Sequence, residues 1–348
     1  MIGTLGRAGA VAAALAIGLS YGAPVQAAGC TTPDHIRVMI FSALFNNMVT
    51  YVAQDAGLYR KHCLDATLVP VGSGPAGLAQ LQSGSLQFSD SSVDNTLIAR
   101  NKGLPIKIVA GESSGDVYSI VARQQLPLPH AKAGYPAVMK DLVGKKIGVF
   151  GVGSGSEYVM RALLRGGGVD PNSVTFIGVG STPTQLAALQ NGAVDAVTMA
   201  DPGQDLALRL GYGRIIVDLR KPGAGPKDVA ALTGTFQVKV ASERLIAEQP
   251  DLVRRYVAAN VDAARWVHDP ANLPALLKLM KARVPLGEAV PNEAALFTRL
   301  VKQYVRFSTA AVSRSSIAAW NAFEIEAGNL KKPVKFDDLV WSGTPVEK

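Results

Sequence analysis

Residues 148–159 read GVFGVGSGSEYV. A hydrophobic run, Lys146 to Phe150, feeds a glycine-rich turn, and apolar residues then recur at helical spacing as Tyr158, Ala162 and Leu163. A strand that turns through glycines into a helix is the repeating unit of an open α/β fold. The free N–H groups at such a helix start also form a ready anion site. Gly151, Gly153 and Gly155 are spaced G-x-G-x-G, but Ser156 stands where a dinucleotide fingerprint needs another glycine. The next strand ends Ile177-Gly178-Val179-Gly180, without the acidic residue that would bind a ribose. No G-x-x-x-x-G-K-S/T motif occurs either. The turn therefore reads as a helix N-terminus that presents Ser154 and Ser156 to the polar or anionic end of a small solute.

Working outward, short apolar runs alternate with helical segments. Strands are expected at Ile36 to Phe41, Ala66 to Val71, Leu86 to Ser89, Ile106 to Ala110, Tyr118 to Arg123, Lys146 to Phe150, Val174 to Val179, Ala193 to Met199, Arg214 to Asp218 and Phe236 to Ala241. Nearly all are apolar on both faces, the pattern of buried parallel strands covered by helices. Pro- and Gly-rich stretches near residues 124–140 and 221–234 are natural places for the chain to pass between units. After Ser242 the pattern becomes almost wholly helical, with segments expected at Pro250 to Trp266, Leu273 to Ala282, Asn292 to Phe307 and Ser313 to Ala327. Pro250 suits a first helical position and Ser313 an N-cap.

Composition narrows the function. The 348 residues are 48% hydrophobic and 18% charged, enough for two α/β units. Residues 1–28 carry one charge, Arg7, then an apolar core from Ala8 to Leu19 and small residues around the triplet Val25-Gln26-Ala27. That is the layout of a secretory signal peptide, and the core is shorter than the roughly 20 residues of a membrane-spanning helix. The formal charge of +8 falls to +7 once Arg7 leaves, and the remaining Lys and Arg are dispersed, with no run that would mark a nucleic-acid surface. Two cysteines remain, Cys30 and Cys63. In an exported chain an even count favours a disulfide, and in a parallel βαβ unit both precede strands at the same end of a sheet. The competing reading is lipidation of Cys30, with Ala27 where a lipidation signal usually has Leu.

In an open α/β sheet, ligands sit beyond the carboxyl ends of the strands. The residues expected there are Ser42, Asn46 and Asn47; Ser73 and Gly74; Asp90 and Ser91; Glu112; Ser154, Gly155, Ser156 and Glu157; Asp201; and Thr235. Any one of these hydroxyls or carboxylates is more often a helix cap than a ligand contact, so the signal is collective. Asp90, Glu112, Glu157 and Asp201 are placed to take an amine. The strand-end loops so assembled carry no basic residue, which points away from a bare inorganic anion. Phe45, Tyr118 and Phe236 are candidates to line a flat ligand, with core packing as the alternative for Phe236. No G-x-S-x-G or H-E-x-x-H occurs, and the four histidines fall away from strand ends, so no catalytic group, metal or cofactor is assigned.

Taken together, the segments Tyr51-Val52-Ala53-Gln54-Asp55-Ala56-Gly57-Leu58-Tyr59, Leu78-Ala79-Gln80-Leu81-Gln82-Ser83-Gly84-Ser85-Leu86-Gln87-Phe88, Asp141 to Val149, Leu186 to Ala196 and Gln249-Pro250-Asp251-Leu252-Val253 resemble the solute-binding proteins of bacterial ABC importers. The group is the nitrate/sulfonate/taurine type that includes thiamine-precursor binders. The resemblance implies a two-lobed α/β periplasmic-binding-protein fold of type II, with two crossing hinge strands and a helical C-terminal tail. Lobe 1 would comprise residues 34–117 plus 236–348 and lobe 2 residues 118–235. It further implies a monomeric periplasmic receptor that delivers its solute to an ABC permease and its ATPase, and the strand-end residues point to a small organic solute (sulfonate-, carboxylate- or pyrimidine-like). The alternatives on the same fold are a pyrimidine-precursor enzyme and a sensory binding module.

Overall fold

The computed structural model describes residues 30–115, 118–221, 223–232, 234–287 and 289–347. The signal segment 1–28 and its cleavage triplet lie outside the described residues. Ten strands form the sheets: β1 (Asp34–Ile40), β2 (Leu64–Pro70), β3 (Ser89–Ser92), β4 (Ile106–Ser114), β5 (Tyr118–Arg123), β6 (Lys146–Val149), β7 (Thr175–Gly178), β8 (Ala196–Ala200), β9 (Gly213–Asp218) and β10 (Thr235–Ser242).

Two sheets of matching order result. One runs β7-β6-β8-β5-β9. In the other, β1 pairs with β2, and β10 lies between β3 and β4. A bridge from Val38 to Phe88, with the Met39 N–H donating to the Phe88 carbonyl at 2.9 Å, carries β1 alongside the entry to β3. The order is thus β2-β1-β3-β10-β4. The all-parallel expectation is corrected at one position in each sheet: β10 runs antiparallel to β3 and β4, and β5 antiparallel to β8 and β9. These two strands arrive directly from the other unit rather than through a crossover helix, and only a crossover helix turns a chain back to run parallel. A second shift concerns β3, which is the wholly buried polar run Ser89-Asp90-Ser91-Ser92 instead of Leu86 to Ser89.

After β10 the tail is helical. Its main helices span Pro250–His268, Leu273–Arg283, Glu293–Phe307 and Arg314–Glu326. Ser313 caps the last of these by accepting from the Ser316 N–H at 3.4 Å. Pro250 occupies the first position of the longest, whose Leu252, Val253, Tyr256 and Val257 are buried. Tyr256 stacks on Phe88 with ring centroids 3.6 Å apart, fixing this helix to the first sheet. Phe45 packs into the same core against Phe297 and Tyr304, so it is not a cleft residue. A disulfide joins Cys30 to Cys63 with Cα atoms 5.6 Å apart, tying the segment before β1 to the start of β2. Among the described residues, no helix is long and apolar enough to cross a membrane.

The centre of the first sheet is polar. Lys239, midway along β10 and directly opposite Asp90 in the ladder, is fully buried. Its ammonium lies 2.5 Å from the Asp90 carboxylate and 2.6 Å from that of Glu112, and also donates to the Thr50 hydroxyl. Thr50 in turn donates its hydroxyl to Glu112 at 2.9 Å, and Gln237 donates to Asp90 at 3.0 Å. Burial alone would lower the lysine's pKa, but the two carboxylates hold it above its ordinary value and keep it charged. Asp90 and Glu112 therefore have an internal cation and are not free to take an amine from a ligand. Removing one member of such a cluster strands buried charge. Lys239→Met is expected to lower the free energy of unfolding by about 3–5 kcal/mol in a urea titration, and adding Asp90→Asn with Glu112→Gln should recover much of the loss.

Candidate functional site

A narrow cavity lies between the two sheets. From the first unit it is lined by Phe41, Leu44, Asn46, Gly74, Ser92, Asn95, Phe236 and Gln237, and from the second by Tyr118, Phe150, Ser154, Gly155 and Ala200. These residues come from the turn after β1, the starts of the helices Gly74–Gln82, Val93–Asn101 and Gly155–Gly166, the ends of β6 and β8, and the crossing strands β5 and β10. The cavity encloses about 30 Å³, room for a water or two but not for an organic solute. Entry of a larger molecule requires the two units to separate.

Aromatic rings dominate the seam. Phe41 meets Phe150 edge-on at 6.2 Å, and Tyr118 meets Phe236 edge-on at 5.4 Å. Each pair joins one unit to the other. Tyr118 and Phe150 are themselves 6.2 Å apart, so the four rings form a continuous aromatic wall. Between them stand uncharged polar groups. Asn46 is buried, and its side-chain oxygen has no hydrogen-bond partner. Ser154 bonds the Ser156 hydroxyl at 2.8 Å. No Lys, Arg or His lines this cavity.

Of the residues expected at the strand ends, the structure brings Asn46, Gly74, Ser154 and Gly155 to this cavity. The others do internal work. Asn47 donates to the Phe41 carbonyl at 2.6 Å and shapes the turn after β1. Ser42 lies in that turn, half-buried. Ser73 caps the helix Gly74–Gln82, and Ser91 bonds the Ser92 carbonyl. Ser156 accepts from the Phe150 N–H at 3.0 Å. Thr235 accepts from the Ser313 N–H at 2.8 Å, anchoring the C-terminal helix to β10. Glu157 accepts from the Gly153 N–H and from Arg161, both at 2.7 Å, which closes the glycine turn on itself. Asp201 is fully buried against Arg220 at 2.9 Å and accepts from Gln303 at 3.1 Å. That network extends through Asp205 to Arg299, at 2.8 Å, so it links the second unit to the tail helix Glu293–Phe307. Arg220 follows β9, so the strand-end loops do contain a basic residue, already paired with Asp201 and Asp205.

Sequence reasoning missed Phe41, Phe150, Asn95 and Gln237. Phe41 and Phe150 had been assigned to the last positions of strands, and the side chain that turns out of a sheet there is not marked by residue type. The most consequential omission is Asp94, at the second position of the helix Val93–Asn101. It is fully buried, and neither carboxylate oxygen makes a hydrogen bond of good geometry. Its oxygens press against Gly155 of the other unit, where a Cβ would lie 2.6 and 3.0 Å from them. Only glycine fits there. Burial pushes Asp94 up to about 6, with the Ser92 hydroxyl and nearby amides pulling weakly the other way. Burial and the Asp94 charge push Glu324, on the neighbouring helix Arg314–Glu326, up to about 8.

Comparison with known proteins places this geometry among relatives. The family profile described as NMT1/THI5 like matches residues 45–272. Binding protein BAB2_1146 of Brucella abortus (strain 2308) is 27% identical over 235 residues, covering 66% of this chain and 65% of that protein. The match thus spans slightly less than two thirds of that relative's length. The riboflavin-binding protein RibY of Chloroflexus aurantiacus is 30% identical over 179 residues, 50% of this chain and 44% of that one. Among solved structures, the alkanesulfonate-binding protein SsuA of Xanthomonas axonopodis pv. citri, bound to MOPS, superposes with a TM-score of 0.67 at 18% identity, covering 89% of this chain and 99% of that one. The fold is the periplasmic-binding-protein fold.

The raised Asp94 carboxyl has a stability signature. The folded state holds its proton up to about pH 6, whereas an unfolded aspartate releases it near 4. The folded state therefore binds more protons across that window, and stability falls as the pH rises through it. Asp94→Asn should accordingly raise the unfolding free energy by about 2 kcal/mol at pH 7.5, the gain shrinking toward zero by pH 4, as read from urea titrations at both pH values.

Proposed function

Because the chain belongs to the NMT1/THI5-like family, we propose that it is an exported solute-binding receptor that closes two lobes around a flat organic molecule and delivers it to an ABC permease. Lobe 1 is residues 34–117 with 236–348, and lobe 2 is residues 118–235. The observation that carries this reading is the aromatic wall made by Phe41 and Phe236 on one side and Tyr118 and Phe150 on the other. Rings that meet edge-on across a seam are replaced, when the seam opens, by exposed faces on which a planar solute stacks. Polar atoms of Asn46, Asn95, Ser154 and Gln237 then meet the edges of that solute, the usual arrangement of a mostly apolar site with a few placed polar groups.

The absence of basic side chains from the lining argues for an organic ring compound over nitrate or a bare sulfonate. A relative named for riboflavin binding is consistent with a ring ligand. Closure proceeds as a hinge at the two crossings, between β4 and β5 and between β9 and β10. The direct experiment is mass spectrometry of small molecules that co-purify with the protein, followed by a thermal-shift panel of planar heterocycles, sulfonates and nitrate. Stabilisation by nitrate alone would sink the reading. With a heterocycle identified, Phe41→Ala is expected to weaken its binding about ten-fold by calorimetry, because one stacking partner is lost while the half-buried position spares the core.

A further inference from the structure

Most buried carboxylates around the cleft are paired, and the exceptions among the described residues are Asp94 and its neighbour Glu324. Asp90 and Glu112 share Lys239, Asp201 has Arg220, and Glu157 has Arg161. Asp94 is as deeply buried as any of these, yet among the described residues it has no ion pair, and its only donors are the Ser92 hydroxyl and the amides of Asp94 and Asn95, none in good hydrogen-bond geometry. A buried carboxylate without a cation is costly, and a protein of marginal stability retains one where it has work to do. Its surroundings indicate the work. Ser92 and Asn95, on either side of it in sequence, line the cavity, as do Gly155, against which its oxygens rest, and the preceding Ser154. Parting of the lobes at Gly155 would uncover both oxygens beside the cavity.

We propose that Asp94 is the specificity-determining residue of the cleft and selects a planar cation of the amidinium type, whose two parallel N–H groups pair with its two oxygens. This rests on the reading of the cleft as a ring-binding site. A two-oxygen acceptor matches a planar pair of N–H donors better than a point charge, as in bidentate guanidinium–carboxylate pairs. No basic side chain lines the cavity to compete for Asp94 or to repel a cation. The ionisable groups coupled to it are Glu324 and, across the seam, Tyr158, with Arg161 and Arg165 acting on those two. Glu324, raised to about 8, keeps its proton through most of the neutral range and leaves Asp94 as the charged member of the pair.

The test uses three compounds with one ring and different heads: benzamidine, benzamide and benzoate, titrated calorimetrically into the full mature protein at pH 7.5. Benzamidine is expected to bind at least about ten-fold more tightly than benzamide, the size of a charge-assisted hydrogen-bond pair, with benzoate weakest. In Asp94→Asn, the benzamidine preference should fall to within about two-fold while the melting temperature is kept or raised. A second readout needs no variant: in the wild type, the benzamidine-to-benzamide affinity ratio should drop about ten-fold from pH 7.5 to pH 5 as Asp94 takes up its proton. Equal binding of benzamidine and benzamide by the wild type, or a preference that survives in Asp94→Asn or at pH 5, overturns the assignment of Asp94 and leaves the ring site standing. Failure of all three compounds to bind overturns the ring site and this proposal together.

Discussion

The buried ammonium of Lys239 is the constraint on which the first sheet depends. It sits at the middle of the one strand that runs against its neighbours, and its partners come from three separate segments: Asp90 on β3, Glu112 on β4 and Thr50 on the helix Met48–Asp55. A two-sided apolar strand can slide in its ladder at modest cost, because every register buries similar surface. A single charge that must find two carboxylates cannot slide. The cluster thereby sets the register of β10, and with it the positions of Phe236 and Gln237, which lie three and two residues before Lys239 and reach the cleft. Its cost is desolvation of three charges, so its contribution is to specificity of packing more than to stability.

Contact between the two sheet units is held by weaker forces. The ring pairs across the seam are each worth about 1 kcal/mol beyond their area. The Arg299 to Asp205 pair is half exposed on the arginine side and contributes at most about 1 kcal/mol. Against these stands Asp94, a buried charge driven into the seam. Under the proposed function, a solute that satisfies Asp94 and covers the rings would supply the differential free energy that shifts the population toward closure.

Much of the fold was legible because it follows from repeated local chemistry. Tyr118–Arg123 was expected at those limits, and the long tail helices to within two residues, because Pro250 and Ser313 mark starts by their own backbone and capping chemistry. The antiparallel strands were not legible, since a two-sided apolar run looks the same in either direction. The limits of β3 were missed for a related reason: Ser89-Asp90-Ser91-Ser92 reads as a loop until Lys239 is seen opposite it. A signal was present, because a lysine between valines in Phe236-Gln237-Val238-Lys239-Val240 is hard to explain in a buried strand unless a carboxylate waits for it. The cleft was legible only in its outline. Strand-end logic located Asn46, Gly74, Ser154 and Gly155, but which carboxylates were already paired is a property of the folded chain alone.

The glycine turn at residues 151–155 shows how the two kinds of information combine. Sequence explains why a helix begins there and why no nucleotide fits. Structure adds the reason for each glycine. Gly153 takes a φ of +77° that other residues resist, so that Glu157 can fold back on its N–H. At Gly151 a Cβ would meet Ser73 of the other sheet unit at 2.7 Å, and at Gly155 it would meet Asp94 at 2.6 Å. Two of the three glycines are therefore spaces kept open for the opposite unit. A turn that resembles a phosphate cradle is here a mating surface, and the negative charge it meets belongs to the protein itself. In the closed lobes the carboxylate of Asp94 rests at the N-terminal end of the helix Gly155–Gly166, whose partial positive charge offsets part of the cost of burying it.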